Sequence, residues 1–148
     1  MAGARRPEQL AAWQLAYELK QRVYAFTRTG EAARDRDFCN DIRRAARSAP
    51  HNTCEGFYRY SPGDFATFLS FARGSLGEVR DQLLHAFDEK FLSDVEFAEL
   101  RLLVDRAIGA NTNLQSYLRT APDYFNRPRT RNPKRASNPE PRIRDSEP

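Results

Sequence analysis

The longest regular pattern in this sequence is a row of apolar residues that recur three or four positions apart between residues 65 and 87. The row consists of Phe65, Phe68, Leu69, Ala72, Leu76, Val79, Leu83, Ala86 and Phe87. Residues at this spacing share one face of an α-helix, because the helix has 3.6 residues per turn. Ser61, Pro62 and Asp64 precede the row and are typical of a helix start. A helix of this kind needs partner helices that cover its apolar face.

Three further segments carry the same helical pattern. In the first segment, aromatic and aliphatic residues, including Trp13, Tyr17 and Tyr24, form a broad apolar face that we expect to be buried. Ser93 and Glu96 repeat the capping signature at the start of the last segment. No segment shows the alternation of polar and apolar residues that is typical of strands. The pattern of residues 1–120 therefore predicts an all-α, up-and-down four-helix bundle. The predicted helices span about residues 7–29, 37–57, 61–87 and 93–120.

The second predicted helix contains Pro50 and more polar than apolar residues. A proline inside a helix removes a backbone hydrogen bond and costs about 3 kcal/mol or more, so we expect a kink there. Five polar residues of this helix are spaced so that they form one stripe. We expect the stripe to join two residues of the third helix in an internal polar network, with a binding surface at one end of the bundle as the alternative. The predicted network consists of Arg44, Ser48, Asn52, Glu55, Arg59, Ser75 and Glu78.

Two glycines, Gly74 and Gly77, lie inside the third predicted helix. Glycine costs about 1 kcal/mol relative to alanine in a helix interior. We expect close approach of a neighbouring backbone to offset this cost, with the alanines of the second helix as partners. The second and third helices should then be closest at these glycines.

The C-terminal residues differ in composition from the rest of the chain. Residues 121–148 contain six prolines and seven basic residues but few apolar ones. Such a segment buries too little apolar surface to offset the entropy of folding, so we predict a disordered tail. Its cations are suited to nucleic-acid phosphates, and a solubilising role is the equally weighted alternative. The cations of this predicted binding segment are Arg127, Arg129, Arg131, Lys134 and Arg135.

A second group of cations lies on the second predicted helix. Arg36, Arg43 and Arg47 are seven and then four residues apart, so they share one face. A basic face of this kind can contact phosphates. A solvated charged face is the alternative, because several aspartates lie nearby in the sequence.

The sequence gives little support to an enzyme. Ser48, His51 and Glu55 have the residue types of a nucleophile, a base and an orienting acid, but no oxyanion donor is evident. Neither His51 nor His85 lies in the Glu-x-x-His pattern of di-iron bundles, and no phosphate-binding glycine loop is present. We therefore expect no catalytic residue, no metal and no cofactor.

The apolar residues are never continuous enough for a membrane span, which requires about 18 of them in a row. The N-terminus also lacks the apolar core of a secretion signal. We therefore expect a cytoplasmic protein without membrane contact.

Two blocks of the sequence resemble a known family. The first contains Arg43, Arg44, Ala45, Ser48, Pro50, Asn52, Glu55, Gly56 and Arg59, and the second contains Gly74, Ser75, Leu76 and Glu78. With the N-terminal pair Trp13 and Gln14, they resemble the small bacterial four-helix-bundle proteins first noticed as reading frames in intervening sequences of 23S rRNA genes. The resemblance covers about residues 9–120.

The resemblance implies a homo-oligomer, namely a pentameric ring of bundles. It also implies a looser kinship with the accessory protein of diversity-generating retroelements, which binds RNA and a reverse transcriptase. Our hypothesis from the sequence is a non-enzymatic oligomeric adaptor that binds RNA, as accessory to a reverse transcriptase or linked to rRNA intervening sequences. The alternative is a protein-only scaffold or interaction module that does not bind nucleic acid.

Overall fold

The computed structural model of the chain describes residues 3–59 and 61–120. Within these residues the chain forms four α-helices and two short 3-10 turns, and no strand, so the predicted all-α fold is confirmed. The helices are α1 (Ala11–Phe26), α2 (Arg36–Tyr58), α3 (Pro62–Asp88) and α4 (Asp94–Thr120). The first is shorter at both ends than predicted. A separate 3-10 turn, Pro7–Gln9, precedes it, and Thr27 is its C-cap. The predicted tail, residues 121–148, lies outside the described residues.

Neighbouring helices run antiparallel and pack as a square. Asn111 Nδ2 on α4 donates a hydrogen bond of 3.0 Å to the Leu69 carbonyl on α3. Further along, Arg80 Nε on α3 lies 2.7 Å from Asp105 Oδ1 on α4, so higher numbers on one helix meet lower numbers on the other. The first helix packs on α2 and α4, and α2 packs on α3. The order is therefore up-down-up-down, with α2 diagonal to α4.

The core follows the apolar rows that predicted the helices. Its largest fully buried side chains come from all four helices. Three of them, Asn111, Thr27 and Thr53, are polar, and Asn111 donates to α3 as described above. The core side chains include Leu19, Val23, Ile42, Phe65, Leu69, Leu76, Val79, Leu83 and Val104.

Across the part of the chain that the structure describes, no helix is both long enough and apolar enough to cross a membrane.

The helix starts follow the predicted capping residues. The Ser61 hydroxyl accepts a hydrogen bond of 3.4 Å from the Asp64 backbone N–H. Ser93 and Glu96 form a reciprocal pair, in which each backbone N–H donates to the side chain of the other, at 3.0 and 3.2 Å. Both predicted caps are confirmed, and they fix where α3 and α4 begin.

The second helix continues through Pro50, which is buried, for two further turns. Side chains supplement the backbone bonding on either side of the proline. Asn52 Nδ2 donates to the Ser48 carbonyl at 2.8 Å, and Thr53 Oγ1 donates to the Ala49 carbonyl at 2.9 Å. They go to the carbonyls of Ser48 and Ala49, whereas the N–H that Pro50 lacks would have bonded to the carbonyl of Ala46. The bend at Pro50 stays a prediction.

The helices α2 and α3 pack tightly at Gly56, and the prediction of close approach at Gly74 and Gly77 is wrong. A Cβ added to Gly56 would lie 2.7 Å from Phe68 Cβ and 2.8 Å from Phe65 Cδ2. At Gly74 and Gly77 an added Cβ would meet nothing within 4 Å. Both glycines are exposed, because they lie on the side of α3 away from its apolar row. Their cost in helix stability is therefore not offset by backbone packing.

Candidate functional site

A groove of about 570 Å³ lies between α1 and α2. A smaller hollow of about 460 Å³ adjoins it, because Lys20 and Arg47 line both. We call the two together the α1–α2 groove. The larger part is also lined by Trp13, Tyr17, Arg44, Ser48, Pro50, His51 and Cys54, and the smaller part by Gln21, Tyr24 and Arg28.

The wall formed by α1 combines rings with cations. This wall has five residues, three with rings and two with cations, which are four, three, four and four positions apart in the sequence. They therefore lie on one side of the helix and its C-terminal extension. The buried residues of α1 lie on the adjacent side, each one position before a residue of the stripe. The three rings are half-buried, which places them between the core and solvent. The stripe consists of Trp13, Tyr17, Lys20, Tyr24 and Arg28.

The rings of Trp13 and Tyr17 stack on each other, with centroids 4.6 Å apart and planes 17° from parallel. Lys20 Nζ lies 4.0 Å from the centroid of the Tyr17 ring. This contact is a cation–π interaction, which contributes about 0.5–1 kcal/mol at exposed sites. Positive charge is therefore held directly beside the stacked pair.

Arg43 was predicted to contact nucleic acid, and the structure places it against the end of α1. Its Nε donates to Thr27 Oγ1 at 2.8 Å, and its Nη2 donates to the Thr27 carbonyl at 3.1 Å. The guanidinium also lies 5.1 Å from the centroid of the Tyr24 ring. A cation is favourable at a helix C-terminus, where carbonyl groups point outward. The hydrogen bonds of Arg43 to protein thus serve the α1–α2 contact.

The other predicted cations of α2 have different positions. Arg36 is the exposed first residue of α2 and does not line the groove. Arg47 is exposed and lines both parts of the groove. Arg44, which we assigned to the polar network, lines the larger part and lies 3.8 Å from Asp41 Oδ1. Among the described residues, no carboxylate lines the groove, so its charge is positive.

The five predicted binding cations of the tail lie outside the described residues. They are Arg127, Arg129, Arg131, Lys134 and Arg135. Their contribution to nucleic-acid binding stays a prediction.

The residues of the predicted polar network lie in separate places. A hydrogen bond of 2.8 Å joins Ser75 Oγ on α3 to Ser48 Oγ on α2, and Asn52 Nδ2 donates to the same Ser48 hydroxyl at 2.9 Å. These three residues link the two helices. Glu55 instead pairs along α2 with Arg59, at 2.9 Å. Glu78 is exposed, and its side chain makes no hydrogen bond or ion pair within residues 3–59 and 61–120.

The groove also contains groups of nucleophilic type. The pKa of the half-buried Cys54 thiol is raised, mainly by burial and to a smaller extent by the negative charges of Glu8 and Glu55. The thiol is therefore protonated near neutral pH, which makes it a weak nucleophile. No hydrogen bond joins Ser48 to His51 in the described part of the chain, and no group of three potential ligands there is arranged for a metal ion. What the groove offers a ligand is aromatic surface and positive charge.

The sequence analysis missed the aromatic wall of the groove. It treated Trp13, Tyr17 and Tyr24 as part of a buried face and did not consider Lys20 or Arg28. The signal that could have found them is a cation placed three or four residues after a tyrosine. Lys20 follows Tyr17, and Arg28 follows Tyr24, at these spacings.

A comparison with protein families gives a match over most of the helical bundle. The family model described as 23S rRNA-intervening sequence protein matches residues 8–112. No curated protein matches the chain significantly. The matched region contains both walls of the α1–α2 groove and all of α1, α2 and α3.

Proposed function

The chain belongs to the 23S rRNA-intervening sequence protein family, and we propose that it is a non-enzymatic protein that binds RNA in the cytoplasm through the α1–α2 groove. The observation that carries this proposal is the clustering of Lys20, Arg28, Arg44 and Arg47 around one concave surface that no described carboxylate lines. Cations arranged in this way neutralise phosphates and release counterions, which drives nucleic-acid binding. Arginine also suits phosphate because its planar fork donates two hydrogen bonds at once.

We further propose that the protein acts as an adaptor, because its other surfaces differ from the groove. Phe71 and Leu84 on α3 and Leu102 on α4 are large apolar side chains exposed at 55 %, 43 % and 62 %. These side chains lie outside the α1–α2 groove, and they are the ones that we propose to contact protein. The partners we propose are other copies of the chain, in a pentamer, and a reverse transcriptase or the rRNA from an intervening sequence.

The RNA proposal is tested by the salt dependence of binding. The anisotropy of a labelled structured RNA is measured with the full chain from about 50 to about 300 mM salt. We expect affinity to fall linearly on a log–log plot, and Arg47→Gln to lower the affinity and reduce the slope by about 1. The matched control is Arg106→Gln, on exposed surface of α4, the helix diagonal to α2.

Affinity that does not change with salt, or an equal effect of Arg47→Gln and Arg106→Gln, would overturn the groove as the binding site. Light scattering of the same samples measures the subunit count. A monomer would overturn the oligomeric part of the proposal. If the chain assembles but binds no RNA, the protein-only scaffold takes its place.

A further inference from the structure

We propose that the α1–α2 groove binds unpaired nucleotides, with a base against the rings of Trp13 and Tyr17 and its phosphate against Arg44 and Arg47. This inference rests on the proposed RNA binding and specifies which state of the RNA the groove accepts. Phosphate contacts alone would not distinguish a single strand from a duplex. The rings distinguish a single strand from a duplex, because an unpaired base can stack on an aromatic side chain.

The shape of the groove suits a small planar group. Its larger part, about 570 Å³, lies within the range of roughly 300–1,000 Å³ found for small-molecule sites. The rings line this hollow, so a base that lies in it contacts them. In a duplex the faces of each base are covered by its neighbours, whereas an unpaired base can leave its stack and pack on an aromatic side chain.

The aromatic wall is arranged for stacking. Trp13 and Tyr17 already form a stacked pair, at 4.6 Å between centroids, so the two rings have a common orientation. Both are half-buried, which limits the motion that stacking would have to restrict. Lys20 Nζ lies over the Tyr17 ring on which Trp13 stacks, so a base extends the existing stack at Trp13.

The opposite wall supplies the charge for the phosphate. Arg47 is exposed and makes no ion pair within the described residues. Arg44 has only a long contact, 3.8 Å, with the exposed Asp41, and such surface pairs contribute little. Both guanidinium groups are therefore available to a phosphate while α1 holds the base.

The smaller part of the groove extends the site along α1. Tyr24 lies there with the Arg28 guanidinium 5.6 Å from its ring centroid, which repeats the pairing of a ring with a cation. Arg28 lies fifteen positions after Trp13, which corresponds to roughly 22 Å where the chain is helical. The groove is therefore long enough for a short run of nucleotides.

The experiment uses the only tryptophan of the chain, Trp13, as a reporter inside the groove. Three RNA ligands of about ten nucleotides are compared at one salt concentration: an unstructured single strand, a duplex, and an abasic strand with the same phosphates. We expect the single strand to quench Trp13 fluorescence and to bind about tenfold more tightly than the abasic strand. The duplex should leave the fluorescence unchanged.

Equal affinity for the single strand and the abasic strand, or binding of the single strand without quenching, would overturn the stacking inference and leave the RNA proposal standing. If none of the three ligands binds, the proposed function itself fails. The two failures are thus distinguishable.

Variants separate stacking from folding. Trp13→Ala should lower affinity for the single strand about tenfold and leave that for the abasic strand unchanged. Trp13→Phe keeps a ring and should keep the affinity, as followed by anisotropy of labelled RNA. The matched control Tyr117→Ala removes an exposed ring from α4 and should change neither affinity. An equal loss for Tyr117→Ala and Trp13→Ala, or loss of both affinities in Trp13→Ala, would contradict the proposal.

Discussion

Arg43 on α2 closes the C-terminal end of α1 through Thr27. Its guanidinium donates one hydrogen bond to the Thr27 hydroxyl, at 2.8 Å, and one to the Thr27 carbonyl, at 3.1 Å. Thr27 is 1 % exposed, and its hydroxyl donates back to the Val23 carbonyl at 2.8 Å. A cation from the neighbouring helix therefore binds the Thr27 hydroxyl and carbonyl at the end of α1. The same contact fixes the position of α1 along the axis of α2.

Arg43→Ala should lower the free energy of unfolding by about 1–3 kcal/mol, because the buried Thr27 groups lose their charged donor. Urea denaturation measures the change. Arg47→Ala, one turn along the same helix, is the matched control, and its exposed side chain should contribute less than about 0.5 kcal/mol. Equal losses for the two variants would contradict the closing role of Arg43.

The hydrogen bond between Ser48 and Ser75 should stabilise the contact between α2 and α3. Ser75→Ala is expected to cost about 1 kcal/mol, since it removes one partly buried hydrogen bond. The double variant Ser48→Ala with Ser75→Ala should cost less than the sum of the single changes, because both remove the same bond. Thermal or urea unfolding of the three variants measures this coupling, and simple additivity would count against the bond.

Glu55→Ala should change stability by less than about 1 kcal/mol, because Glu55 pairs with Arg59 at the surface of α2. If Glu55 belonged to a polar network between α2 and α3, the loss of stability would be larger. Unfolding in urea, with Arg59→Ala measured alongside, tests it. A loss of several kcal/mol for Glu55→Ala alone would return Glu55 to that network.

The fold could be predicted from the sequence because its signals are local. The apolar row of α3 and the caps at Ser61 and Ser93 depend only on residues near one another in the chain. The same holds for the order of the helices, since short connections favour antiparallel neighbours. No knowledge of how the helices rotate against each other was needed.

The groove could not be predicted in the same way, because it depends on that rotation. Periodicity puts Trp13, Tyr17 and Tyr24 on one side of α1, but it does not tell whether that side meets the core or the edge of α2. The same limit explains Gly56 and Gly74. Glycine inside a helix lowers the stability of that helix by a known amount. Only the packing of the helices decides at which glycine a close contact offsets this loss.

Alanine at two glycines should have opposite effects on stability. Gly56→Ala should destabilise the fold by about 1–3 kcal/mol, because the new Cβ would lie 2.7 Å from Phe68 Cβ and force the helices apart. Gly74→Ala should stabilise it by about 0.5–1 kcal/mol, since nothing lies within 4 Å of the added atom and alanine favours the helix. Urea denaturation compares the two variants, and changes of the same sign would contradict the packing described for Gly56.

The alkylation of Cys54 should depend on pH in a way that reports its position in the groove. Burial first, and then the charges of Glu8 and Glu55, raise the pKa of this thiol above its ordinary value of 9.0. Because the folded chain favours the neutral thiol, the reactive thiolate is scarcer than in the unfolded chain at any pH below the raised pKa. Iodoacetamide at about pH 8 should therefore modify Cys54 more slowly in the folded chain, and the rate should still be rising above pH 9.0.

Mass spectrometry of the Cys54 peptide measures that rate. Glu55→Gln should increase it modestly, because burial is the larger cause of the shift and the glutamine removes only one negative charge. Glu78→Gln, an exposed glutamate on α3, is the matched control and should leave the rate unchanged. Since Cys54 lines the groove, single-stranded RNA should slow the modification further. A rate in the folded chain equal to that in urea would contradict the burial of Cys54, and a rate unaffected by saturating RNA would place the RNA elsewhere on the bundle.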